Sequence, residues 1–159
     1  MGPVLFVLLA LVLAVLQHGP LATLPWAPDL PLAFAAWIIA SGGTSWMLLR
    51  AWGVGAMRDC LDPASVCFHA IAYLAIAASF LPFRGVVYRG RGTAWVGLAM
   101  AASLGLRWVD RWWIGLPPFS DLLPGLVIAL STGLAAVAMG WLFTDLPAWM
   151  RPVEQGEAE

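Results

Sequence analysis

Between two long apolar runs, residues 53–73 read GVGAMRDCLDPASVCFHAIAY. Arg58, Asp59 and Asp62 are crowded into this stretch, with both cysteines of the chain and His69, one of its two histidines. Charges embedded between apolar runs are expensive in lipid, so they face the protein interior or a partner. The stretch reads as the end of one membrane helix, a tight turn and the start of the next. The remaining helices are expected to pack around it.

What surrounds it is apolar enough for that reading. The 159 residues are 62% hydrophobic and 11% charged, with a mean hydropathy of +0.86, where soluble domains carry about 25% charged residues. An all-α polytopic membrane protein follows, with one compact domain over residues 1–146 and a polar, acidic tail over 147–159. Net charge is −1 and there is no lysine; the eight arginines are spread along the chain without forming a basic patch. Nucleic acid is therefore not an expected partner. Cys60 and Cys67 have no CxxC spacing and read as small apolar fillers. A disulfide between them would need both to face an oxidising compartment.

Six helices are expected, at about 2–17, 29–42, 45–60, 63–83, 93–113 and 121–143. The first is short for a span of about 20 residues, but it lacks the basic start and cleavage site of a signal peptide. Helices 2, 4 and 6 each open with an aspartate near a proline: Pro28-Asp29-Leu30-Pro31, Asp62-Pro63, and Asp121 with Pro124. An aspartate accepts from free N–H groups of a first turn, and proline there loses no hydrogen bond. Asp29, Asp62 and Asp121 thus read as structural N-caps. Arg84, Arg89 and Arg91 fall in one glycine-rich loop without an acid. The positive-inside rule makes that loop cytoplasmic, and with six helices both termini as well.

No residue pattern demands catalysis. Asp59 and Asp62 could share a metal, but Asp62 is better explained as a cap. His18 is expected to be solvated, and His69 to bond a neighbouring helix rather than relay protons. No phosphate-cradling glycine loop is present. Arg50 reads as snorkelling to the headgroups. Arg58-Asp59 is either an interfacial ion pair or a partner contact. Arg107, Asp110 and Arg111 lie at i, i+3 and i+4 on one face of helix 5. Trp108, Trp112 and Trp113 flank them as an interfacial belt. That face reads as a neutralised outer-interface patch, with a binding surface as the alternative. Gly55 and Asp59 share a face of helix 3, and the glycine makes it approachable. The expected partners of Asp59 are Arg107 or Arg111 on helix 5, or a group on another protein.

Several of these features together resemble a known family. They are the short first helix, Pro28-Asp29-Leu30 opening helix 2, a G-x-x-x-D element (Gly55-Ala56-Met57-Arg58-Asp59) ending helix 3, and an alanine-rich helix carrying Tyr73-Leu74. They are similar to those of MreD, the rod-shape-determining integral membrane protein of bacteria. Arg58 departs from the family pattern, which has an apolar residue before that aspartate. The resemblance implies a fold like the substrate-binding subunits of energy-coupling-factor transporters, in the bacterial inner membrane. It implies a non-enzymatic scaffold of the cell-elongation complex, without cofactor or metal. Its partners would be an MreC-like protein, with links to MreB and to the SEDS glycosyltransferase–transpeptidase pair. The alternative is a small-molecule-binding subunit of an energy-coupling-factor-type uptake system.

Overall fold

The computed structural model describes residues 2–41, 44–62, 67–83, 94–117 and 122–144. Pro63, the arginine-bearing loop from Arg84 to Arg91, Asp121 and the tail over 147–159 lie outside them. The described residues form helices and connecting turns, with no strand among them. The helices are α1 (Pro3–His18), α2 (Leu30–Ser41), α3 (Thr44–Leu61), α4 (Phe68–Phe80, continued by a 3-10 turn to Phe83), α5 (Ala94–Trp113) and α6 (Leu122–Thr144).

The centre is α2. Leu32, Ala33, Phe34, Ala35, Ala36, Ile38 and Ile39 are each at most 3% exposed. A helix apolar on all sides is buried in a core or in a membrane, and α2 takes the first course: it touches each of the other five. Around it, α3 packs most closely on α4, and α5 on α6. Phe34 anchors the interior, with the rings of Phe6 and Phe143 each 6.0 Å from its own. The α5–α6 seam is close because Gly140 lies under the Trp95 indole, whose nearest ring carbon is 2.7 Å from where a Cβ would stand.

Length and composition single out α6: its Leu122–Phe143 segment has a mean hydropathy of 2.1 and is long enough to cross a bilayer. The apolar segments Pro3–His18, Leu30–Ala40 and Phe68–Phe83 are shorter. α5 is amphipathic, with Ser103, Arg107, Asp110 and Arg111 along one stripe.

One boundary departs from expectation. Helix 4 was expected from residue 63 behind an Asp62 cap, yet α4 begins at Phe68. Its N-cap position is Cys67, at φ 61°, without a side-chain cap bond of its own. Asp62 instead closes the end of α3, its N–H donating to the Asp59 carbonyl at 3.3 Å. The cysteines are not buried fillers either: both are free and exposed.

Candidate functional site

Four helices converge on the start of α2. The first N–H groups of a helix have no partner within it, and here each is accounted for from elsewhere. The Asp29 N–H donates to Thr132 Oγ1 on α6 at 2.9 Å. The Leu30 N–H donates to Gln17 Oε1 on α1 at 3.0 Å. Pro31 has none to place, and the Leu32 N–H donates to Asp29 Oδ1 at 3.1 Å. Asp29 is thus the cap its sequence position suggested.

It also has a second task that its sequence position does not reveal. Arg58, from the last turns of α3, donates through Nη1 to Asp29 Oδ2 as an ion pair. The same nitrogen donates to Tyr73 Oη on α4 at 2.8 Å, and the Tyr73 hydroxyl donates to Asp29 Oδ1 at 3.3 Å. The Arg58 and Asp29 side chains are only 16% and 15% exposed, and Tyr73 is fully buried. Removing charges from water is costly, and a closed set of hydrogen bonds is what offsets it. This set ties α2, α3 and α4 together. Arg58 therefore pairs with Asp29 at the start of α2 rather than with its neighbour Asp59.

Asp59 forms the second tie. Its carboxylate accepts from the first free N–H groups of α4: His69 N to Oδ1 at 3.1 Å and Ala70 N to Oδ2 at 2.8 Å. His69 Nδ1 lies 2.8 Å from Oδ1, which places the proton on Nδ1 because an ionised carboxylate only accepts. A negative charge at the positive end of a helix is also favourable. The bond from His69 to a neighbouring helix is the one expected. The α5 partners expected for Asp59 are not the ones these bonds reach: the helix they hold is α4, and α3 scarcely touches α5. Gly55, one turn before Asp59, makes this approach feasible. A Cβ there would stand 2.7 Å from Ala70 Cα and closer still to the His69 carbonyl.

In front of these ties lies a cavity of about 430 Å³. Asp29, Arg58, Asp62 and His69 line one side, and Ser103, Arg107, Asp110 and Arg111 of the α5 stripe line another. Gln17 and Ile128 contribute from α1 and α6. The i, i+3, i+4 face read as an outer-interface patch is therefore a cavity wall. Trp108 and Trp112, at 52% and 69% exposure, stand outside it; the Trp113 side chain lies outside the described residues. Comparison with protein-family models, with curated proteins and with solved structures found no match.

Of the residues singled out in the sequence, seven share this cavity: Asp29, Arg58, Asp62, His69, Arg107, Asp110 and Arg111. Gly55 and Asp59 hold the helices behind it, and Pro28 leads into α2. Gln17, Ser103 and Thr132 were missed. Their signal was a polar residue inside an apolar helix, which needs a partner wherever it faces. His18 also differs from expectation: its Nε2 is buried rather than solvated. Among the described residues no three His, Cys, Asp or Glu side chains are grouped to hold a metal ion. The arrangement can hold helices in register, and it can bind a polar group from outside.

Proposed function

We propose that this chain is a six-helix protein of the bacterial cytoplasmic membrane, with both termini inside. In this reading it serves without catalysis of its own as an MreD-type scaffold of the cell-elongation complex, binding an MreC-like protein. One observation carries the reading: the residues behind the family resemblance are ties between helices. Asp29 and Tyr73 close the Arg58 set, and Gly55 and Asp59 seat α4 on α3. A signature of that kind specifies a rigid bundle rather than a reaction.

The perimeter supports the membrane reading. Val4, Leu8, Val12 and Val15 of α1 are at least half exposed, as are Leu123, Leu134 and Trp141 of α6. In water so much contiguous apolar surface is an aggregation hazard, whereas in lipid it is the expected exterior. The short helices fit if flanking residues snorkel or the bilayer thins locally.

The test is co-purification from a bacterial membrane in detergent. Recovery of an MreC-like protein supports the scaffold. Recovery of an ATPase pair with a coupling subunit supports instead the substrate-binding subunit of an energy-coupling-factor-type transporter. The polar cavity favours that second reading, because a capture subunit needs several hydrogen-bonding groups around one pocket. Orientation is tested separately with an impermeant thiol reagent on whole cells lacking Cys60 and Cys67. A cysteine at position 117 should react and one at 87 should not; labelling at 87 overturns the topology.

A further inference from the structure

The cavity has a hydrogen-bonding imbalance that its formal charges conceal. Arg58, Arg107 and Arg111 line it together with Asp29, Asp62 and Asp110, so the charges cancel on paper. Both Asp29 oxygens, however, are already committed to Arg58, Tyr73 and the Leu32 N–H. Arg107 is half-buried on the cavity wall. It makes no hydrogen bond or ion pair to any described residue. Arg58 Nε is buried and has no partner among them either. Asp110 shares the α5 stripe with Arg107 but is exposed. A guanidinium presents five donors in a fixed fork that matches an oxyanion. An under-used guanidinium in a partly desolvated wall therefore marks a place for an anion from outside.

The position of the cavity narrows the choice. It lies where α1, α3 and α5 end and α2, α4 and α6 begin, beside the exposed indoles of Trp26, Trp108 and Trp112. Indoles prefer the headgroup level of a bilayer, where the abundant oxyanion is phosphate. At about 430 Å³ the space exceeds a bare ion and admits a substituted phosphate. We propose that this cavity binds a phosphate group bearing a polar substituent, with Arg107 as its principal ligand and Arg58 as the charge behind it. The inference rests on the membrane reading above but on neither of the two partner assemblies.

The test uses the full chain in detergent, with native mass spectrometry and thermal shift as readouts. Three probes separate the sources: dioleoyl-phosphatidylglycerol, glycerol 3-phosphate, and dioleoylglycerol as the phosphate-free lipid. Binding of the first alone identifies a lipid headgroup, and binding of both phosphates identifies a site open to soluble phosphates; either supports the proposal. Arg107→Gln should weaken binding about tenfold, the loss of roughly one charged hydrogen bond. It should leave the melting temperature without ligand unchanged, because Arg107 ties no helices. Arg50→Gln, an arginine of α3 outside the cavity, should bind as the unaltered protein does. The proposal is overturned if neither phosphate binds, if dioleoylglycerol binds equally well, or if Arg107→Gln and Arg50→Gln behave alike. Co-purification with an MreC-like protein would stand or fall independently of any of these results.

Discussion

Replacing Gly55 by alanine sets two effects of opposite sign against each other. Helix propensity favours alanine by about 1 kcal/mol in a helix interior. Close approach opposes it: the new methyl would stand 2.7 Å from Ala70 Cα and nearer to the His69 carbonyl. Carbon atoms in good contact are about 3.5–4.0 Å apart, so α3 and α4 must separate by about 1 Å. The obstructing atoms are backbone and cannot rotate away. Overpacking of this kind costs about 1–3 kcal/mol. The same displacement would stretch the Ala70 N–H bond to Asp59, now 2.8 Å, to where a charge-assisted bond of about 1.5–3 kcal/mol is largely lost. The net expectation is destabilisation by about 2–4 kcal/mol after the propensity gain is subtracted. Thermal unfolding followed by circular dichroism in detergent would measure it. Gly97→Ala and Gly105→Ala on α5 are the internal controls, since nothing lies within 4 Å of a Cβ at either position. These two should be neutral or stabilising by up to about 1 kcal/mol. If Gly55→Ala melts at or above the parent temperature, the account of the α3–α4 contact is wrong.

Asp29→Ala should destabilise by about 2–4 kcal/mol, because it strands the largely buried Arg58 as well as removing a cap; Asp29→Ala combined with Arg58→Met should recover part of the loss in the same melt. Asp59→Ala should lower stability clearly more than Asp62→Ala, since the α4 cap belongs to Asp59; equal effects would restore the Asp-Pro cap suggested by sequence. Tyr73→Phe should cost about 1 kcal/mol for the lost hydroxyl bonds, and a null result in the melt would remove Tyr73 from the tie.

Helix number and most boundaries were legible because apolar runs interrupted by Asp, Pro and Gly leave few alternatives. Asp29 shows how far such local rules reach: its cap was read correctly, whereas its ion pair was not. Arg58 is 29 positions away, and sequence says only that each charge needs a partner. Adjacency then drew attention to Asp59. The start of α4 was misplaced for a related reason. Local capping rules look for the acceptor at the helix's own first residue, and here it comes from the end of the preceding helix. On the α5 face, periodicity correctly grouped Arg107, Asp110 and Arg111, but it could not show that the face looks into a cavity. That depends on how α5 is rotated against α2 and α6, which is decided by packing at residues such as Gly140 and Trp95.

The bond from the Asp29 amide to Thr132 spans 103 residues, and this gives the bundle a chronology. Translation proceeds at about 5–20 residues per second, so roughly 5–20 s pass between synthesis of the donor and of its acceptor. During that interval the Gln17 and Arg58 contacts of α2 can form, but the amide of Asp29 has no acceptor from α6. The last of the described helices to emerge therefore locks the first turn of the central one. A chain cut short before α6 would keep the Gln17 and Arg58 contacts of α2 yet leave the Asp29 amide without this lock.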